Sequence, residues 1–364
     1  MKIRTREAEE GCILDQDIKG MTAMPIIPKN TVIEDIHIKV LHAFHIEELS
    51  IKRTKADGTQ FTPKQIDDSE EDKAKEPEPA RSYDDFLKLY LNKVQEFKNE
   101  FQNWQSGMPV SISNIRNIIL PLLEQLEENP KNITHLHQYS SKSDYIYHHP
   151  VAVGLLSGVI AKKMGFDTGK KIQVTLAGVL ADSGMAKIPV SILTKQSALT
   201  EAEFKEIKMH PVYSYKMVKE ISLLKPETKL AIFQHHERLD DSGYPTGEKK
   251  ERIHQFSQII AVADVFHAMT SERVYRGRQL PFQVLEQIRE DHFGKYDIQV
   301  VQALLDITAD LSIGTVIRIS SGETGEVMFT TRENLTRPLI QIKETGVIMD
   351  LTKRRDLFIE EVLS

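Results

Sequence analysis

The hydrophobic rhythm of the chain changes three times. Through residue 54, short apolar runs at Ile13-Leu14, Ile26-Ile27, Thr31-Val32-Ile33 and Leu49-Ser50-Ile51 alternate with Gly11, Gly20, Pro25, Pro28 and Asn30. That pattern predicts short strands between tight turns, with a helical stretch over Glu34–Phe44, and so a small N-terminal α+β module over residues 1–54. Residues 55–82 hold acidic runs and a Lys-Glu-Pro-Glu-Pro string that offer little to bury, as an acidic, flexible linker would. From Tyr83 the spacing becomes helical: Tyr90, Val94, Phe97, Phe101 and Trp104 recur at intervals of three and four and mark one apolar face. Further helices are predicted over 113–129, 149–164, 170–181, 200–221, 226–237, 256–270 and 281–291, which makes residues 83–310 an all-α domain. After residue 311 the rhythm turns to alternation over 315–319, 325–328, 339–342 and 346–349, broken by Gly322, Gly325, Asn334 and Pro338, and predicts a C-terminal β-rich segment. The fold class is therefore mainly α with small flanking modules.

Composition narrows the function classes. A chain of 364 residues, 40% hydrophobic and 27% charged, fits a soluble globular protein of two or three domains. A net charge of −6 argues against DNA or RNA as a partner, since broad nucleic-acid binding needs a basic face. The single cysteine, Cys12, reads as a small buried hydrophobe. The longest apolar stretch, Val151 to Ala161, is shorter than the roughly 20 residues a membrane span needs, and the first ten residues lack the apolar core of a secretory signal. A cytoplasmic location without membrane contact is expected.

The candidate chemistry lies in the helical domain. His149, Asp182, His210, His235, His236 and Asp264 are separated by helical segments, apart from the adjacent pair, so that they would project from successive helices into a bundle core. Asp182 ends the run Leu176-Ala177-Gly178-Val179-Leu180-Ala181, and Asp264 follows Ile259-Ile260-Ala261-Val262-Ala263. A carboxylate in such a run is costly to bury unless it is paired or metal-bound. Asp182 alone reads equally well as a helix-terminal cap; the six together favour metal ligation.

Several strings in order then carry a family resemblance. Tyr145-Ile146-Tyr147-His148-His149, Asp182-Ser183-Gly184-Met185-Ala186-Lys187-Ile188-Pro189, Met209-His210-Pro211, His235-His236-Glu237 through Gly243-Tyr244-Pro245, and Asp264 to Arg276 resemble the layout of HD-GYP proteins. The resemblance implies an HD-type helical bundle, a pocket for divalent metal, commonly iron or manganese, and phosphodiester hydrolysis of cyclic di-GMP. Against that layout stand three departures: Ala181 where the family has the histidine of its His-Asp pair, Met185 where it usually has a lysine, and Asp240-Asp241 where it usually has Asp-Gly. By resemblance, one ion would be held by Asp182, His210, His235 and His236. A second would rely on His149, Asp264 and Asp182 without the missing imidazole.

Arg273 and Arg276 follow the Asp264 helix, where they suit bidentate phosphate contacts or a solvated surface. Tyr244 suits packing on a base or anchoring its turn. Asp182 and Lys187 are the catalytic candidates, Lys187 as partial cover for the lysine lost at 185. The expectation is a metal-dependent phosphodiesterase-like signalling protein with one or two ions, a cyclic dinucleotide ligand, a homodimer or signalling-protein partner, and weakened hydrolysis. The alternative is a catalytically inactive module that binds metal, nucleotide or protein. A nucleotide-monophosphate hydrolase fits less well, because the Gly-Tyr-Pro segment is intact.

Overall fold

The computed structural model describes residues 1–19, 25–27, 29–33, 37–38, 41, 46–61, 83–140, 144–195, 197–271, 279–291, 294–309 and 311–363. The expected Glu34–Phe44 helix and the acidic linker fall largely outside these residues, and Arg273 and Arg276 wholly so. The chain divides into two compact units, Ala80–Asp310 and a second made of Met1–Pro79 with Leu311–Ser364.

The first unit is helical: α1 (Tyr83–Gln105), α2 (Ile112–Glu128), α3 (Tyr145–Lys163), α4 (Thr168–Leu180), α5 (Val190–Leu193), α6 (Glu201–Ile207), α7 (His210–Val218), α8 (Pro226–Gln234), α9 (Gln255–Thr270), α10 (Pro281–Asp291) and α11 (Ile298–Thr308). The aromatic stripe of α1 is the face it buries: Tyr90, Phe97, Phe101 and Trp104 are all sealed from solvent, and α1 packs on α2 and α3. Local chemistry fixes the helix starts. Ser111 accepts the Asn114 amide, Asp167 accepts the Lys170 amide, and Thr200 with Glu203 forms a reciprocal capping box.

The centre of the bundle is α3, whose every residue from His148 to Ala161 is buried. A helix that is apolar all round can only be stable when surrounded. Its closest neighbour is α4. A Cβ built on Gly178 would lie 2.9 Å from the Gly154 Cα and 3.1 Å from the Val153 carbonyl oxygen, so the two backbones nearly touch. No helix among the described residues is long and apolar enough to cross a membrane.

Two helices differ from the sequence expectation in ways that matter for the site. The stretch 200–221 is two helices, α6 and α7, broken at Lys208-Met209. Pro211 falls in the first turn of α7, where its missing N–H costs no intrahelical bond, so the new helix starts around it. α8 ends at Gln234 rather than 237, which releases His235 and His236 from the helix.

In the other unit, β1 (Lys2–Arg4) pairs antiparallel with β4 (Glu48–Ser50), and β2 (Ile18–Lys19) with β3 (Pro25–Ile27). Ile13 and Leu14 make single bridges to Val32 and Ile51 instead of strands. β1 was not anticipated, because a three-residue strand with one buried side chain, Ile3, is too short to show alternation. β5 (Val316–Ile319), β6 (Thr324–Phe329), β7 (Leu339–Ile342), β8 (Ile348–Asp350) and β9 (Ile359–Val362) form one antiparallel sheet in the order β8-β7-β6-β5-β9. Met328 of β6 joins the buried cluster of Cys12, Leu14, Ile33, Leu49 and Ile51, with Leu339 packed against it. The two ends of the chain thus share one hydrophobic core.

Candidate metal centre

Five elements converge. His149 lies in the second turn of α3; Asp182 follows α4 and leads into a 3-10 turn, Ser183–Lys187; His210 opens α7; His235 and His236 follow α8; and Asp264 is mid-α9. Asp182, His210, His235 and His236 each offer a ligand atom within 4.8 Å of the others. The Asp182 carboxylate bridges two halves of the cluster. Its Oδ1 lies 3.1 Å from His210 Nε2 and 3.5 Å from His235 Nε2, while its Oδ2 lies 3.5 Å from His149 Nε2. Asp264 closes the second half, with Oδ1 3.0 Å from His149 Nε2 and Oδ2 3.5 Å from His236 Nδ1.

Main-chain groups hold this geometry. Ser214 on α7 donates through Oγ to the Ala181 carbonyl at 2.6 Å and accepts the Gly184 amide at 2.7 Å, which staples α7 to the backbone on both sides of Asp182. The Nδ1–H of His210 donates to the Ile207 carbonyl and that of His235 to the Ile232 carbonyl, each at 2.8 Å. A carbonyl can only accept, so both neutral rings must carry their lone pair on Nε2. Those two nitrogens face each other at 3.1 Å beside a carboxylate oxygen. Three acceptor atoms gathered this way repel unless a cation lies among them. The donor set of imidazoles and carboxylate, with outer hydrogen bonds fixing the tautomers, fits a divalent metal ion.

The electrostatics agree. Burial would raise the Asp182 carboxyl, but the hydrogen bonds and charges of His210, His235 and His149 outweigh it and hold the group well below the usual range. Asp264 is likewise held low against burial by His149 and His236. Burial and the neighbouring His235 keep His236 neutral far below the ordinary imidazole range. His210 goes the other way. Burial lowers it, yet its bond to Asp182 and that anion's charge raise the ring above its usual value.

A raised imidazole contributes stability that is complete below its unfolded value and is lost as pH climbs through the folded one. The depressed carboxylates contribute throughout that window. His135, His148, His236 and His254, held low by burial, act in the opposite sense and gain stability as pH rises. The His210 contribution is therefore read as a difference: metal-free wild type is expected to lose thermal stability relative to metal-free His210→Gln on going from about pH 6 to about pH 8. Added Mn(II), which replaces the proton in the wild type, is expected to abolish that relative fall. Parallel melting curves of the two proteins with and without the ion check this; a metal-free difference that stays flat or rises over the window would refute it.

The remaining candidates separate. Tyr244 stacks on His236, with ring centroids 4.6 Å apart and planes 30° apart, and burial with the charges of Asp264 and Asp182 pushes its phenol up. Lys187 does not reach the cluster side chains but donates through Nζ to the Trp104 carbonyl at 2.5 Å. Ala181 faces His149, Asp182, His235 and Asp264 across a gap with no room for a water molecule.

Three residues beyond the expected set shape the site. Glu237, 2% exposed, accepts the Thr246 amide and hydroxyl and the Glu248 amide, and so ties the Gly243-Tyr244-Pro245 loop to the residue beside His236. Lys208 holds its ammonium 5.0 Å from the ring centres of both Phe204 and Tyr244. His267, buried on α9, places Nδ1 3.0 Å from His149 Nδ1. Its spacing three residues beyond Asp264 on an apolar helix was the available signal, since such pairs share a helix face.

Comparison with known proteins gives the family. Residues 122–300 match the HD domain family model. A cyclic di-GMP phosphodiesterase of Pseudomonas aeruginosa is 26% identical over 66% of this chain and 58% of its own length. One from Thermotoga maritima is 33% identical over 46% of this chain and 45% of its own length. Residues 122–300 form an HD domain similar to those of cyclic di-GMP phosphodiesterases. A 3'3'-cGAMP-specific phosphodiesterase of Vibrio cholerae is 34% identical over 45% of this chain and 38% of the relative. The chain spans about half the length of the curated relatives it matches. The solved structure of Bd1817, a HDG"Y"P protein from Bdellovibrio bacteriovorus, shares the fold at TM-score 0.51 and 16% identity, over 84% of this chain and 98% of that one.

Proposed function

We propose that this chain is an HD-GYP-type, metal-dependent phosphodiesterase-like signalling protein that takes a cyclic dinucleotide, cyclic di-GMP foremost, in a reduced cytoplasmic setting and hydrolyses it weakly. The observation that carries this is the Asp182 carboxylate, set between the Nε2 atoms of His210 and His235 on one side and His149 on the other. The mixed imidazole and carboxylate donors suit iron or manganese. A bound divalent ion would supply Lewis acidity toward a phosphoryl oxygen and a lowered water pKa.

The chain's own residues support the rest. Tyr244 offers a ring face at the histidines and Lys208 a cation beside it, suited to a base and a phosphate respectively. Ala181 and Met185 carry the loss. Without an imidazole at 181 the His149 half has fewer donors, and without an ammonium at 185 there is less charge to meet the phosphoryl group.

Purified protein analysed for metal and assayed with cyclic di-GMP under Mn(II) or Fe(II) tests the reading. The expected result is bound metal with slow turnover. Ala181→His with Met185→Lys is expected to raise that turnover by about two to three decades, given about 10²–10³ for one transition-state donor. Robust turnover by the wild type would refute the weakened-enzyme reading, and protein that takes up no metal would refute both. The second reading, an inactive binding module, is favoured by the lack of an imidazole at Ala181 and of an ammonium at Met185, and predicts ligand binding without hydrolysis.

A further inference from the structure

The three ligand-type imidazoles around Asp182 are not held alike. His210 and His235 each donate Nδ1–H to a main-chain carbonyl. His149 instead meets another imidazole, His267, nitrogen to nitrogen at 3.0 Å. His267 is 1% exposed and sits beneath the same Tyr145 ring as His149, with centroids 6.2 and 4.9 Å away. On the far side of His149, Nε2 lies 3.0 Å from Asp264 Oδ1 and 3.5 Å from Asp182 Oδ2.

We infer that His267 is a positioning residue that lets His149 exchange tautomers, so that the His149 half of the centre is convertible while the His210/His235 half is fixed. The inference rests on the metal-centre reading above. Without a cation the Asp264 carboxylate can only accept, so His149 donates Nε2–H to it and its Nδ1 holds the lone pair. His267 must then donate Nδ1–H. When a cation occupies the His149 side, His149 turns its Nε2 lone pair to it and carries the proton on Nδ1. His267 Nδ1 then accepts, and its own proton sits on Nε2; the Ser271 hydroxyl lies 3.3 Å from both ring nitrogens and favours neither state.

Both rings stay neutral in both states, and the pair takes up and releases no proton. A carbonyl in place of His267 could not serve both states, because it never donates. An imidazole can. The order of filling follows: the carbonyl-locked half needs no rearrangement and fills first, and the His149 half fills second and more weakly.

The test uses the full-length chain with ¹⁵N-labelled histidine and Zn(II) as a diamagnetic probe. In the wild type, His149 is expected to change from Nε2–H to Nδ1–H at the second equivalent, while His210 and His235 keep Nδ1–H throughout. His267→Leu is expected to weaken the second equivalent by about 10–100-fold, as loss of an outer partner does, and to leave the first unchanged. His267→Asn, whose amide can accept or donate, is expected to recover most of the loss. Melting curves accompany each variant, and should His267→Leu fail to fold, the Asn variant and the wild-type spectra decide. Unaltered second-site affinity in His267→Leu overturns the inference, as does a His149 that keeps Nε2–H with two ions bound, or a wild type that binds one ion only. No readout involves substrate, so the hydrolytic reading can fail separately.

Discussion

Asp182→Ala is expected to empty both halves of the metal centre at once. Its two carboxylate oxygens serve different partners, Oδ1 the Nε2 atoms of His210 and His235 and Oδ2 that of His149. Without it, His210 and His235 still point lone pairs at each other, pinned by the Ile207 and Ile232 carbonyls, but the one carboxylate left, Asp264, lies on the His149 and His236 side. Metal affinity is expected to fall by more than the ~100-fold that marks the upper range for an outer-shell partner. Any phosphodiester hydrolysis should fall about 10³-fold, since several kcal/mol of transition-state stabilisation are withdrawn at ~1.4 kcal/mol per decade. Asp264→Ala removes the contacts to His149 and His236 but leaves those of Asp182 to His210 and His235, and should weaken the second equivalent more than the first. Metal analysis of both variants after dialysis distinguishes them; a full complement of tightly held metal in Asp182→Ala would remove the basis for the centre as drawn.

Gly184→Ala is expected to be the most damaging single methyl group in the helical unit. A Cβ there would lie 2.2 Å from the His210 carbonyl oxygen, 2.5 Å from the Ser214 amide nitrogen and 2.8 Å from the Tyr213 Cβ. The first two are backbone atoms that no rotamer change can move aside. α7 must shift, which breaks the Ser214 staple and carries His210 away from Asp182. Overpacking of this kind costs about 3 kcal/mol or more when backbone must yield, roughly 6–12 °C in melting temperature for a unit of this size. Weaker first-site metal binding should accompany it. A variant that melts and binds metal like the wild type would show that α7 moves freely, against the packing described.

Much of this was legible in the chain, for identifiable reasons. The α1 stripe follows from periodicity, and α3 and α9 from long apolar runs broken by few polar residues, which burial enforces. The ligand residues could be singled out because polar side chains in apolar runs need a reason to be there. Their partnerships could not. That Asp182 bridges, that Ser214 staples and that His267 meets His149 depend on which helices abut, and local spacing carries no such information. Arg273 and Arg276 lie outside the described residues. Lys187 shows the opposite failure: sequence proximity to Asp182 suggested a role, but the 3-10 turn aims its ammonium at Trp104. In the other unit, the shared core of the two chain ends was invisible because its partners, such as Leu14 and Met328, are far apart in sequence.

The contact between Gly154 and Gly178 has a consequence for how such a protein can change over time. Peptide atoms in α3 and α4, rather than the ligand side chains, set the separation of the helices that carry His149 and Asp182. A side chain at 181 can therefore change without altering the spacing that Gly154 and Gly178 set. Occupancy and turnover become separable properties. A scaffold framed in this way can give up chemistry one residue at a time and still keep its remaining donors in place, from which a receptor can be made as readily as an enzyme restored.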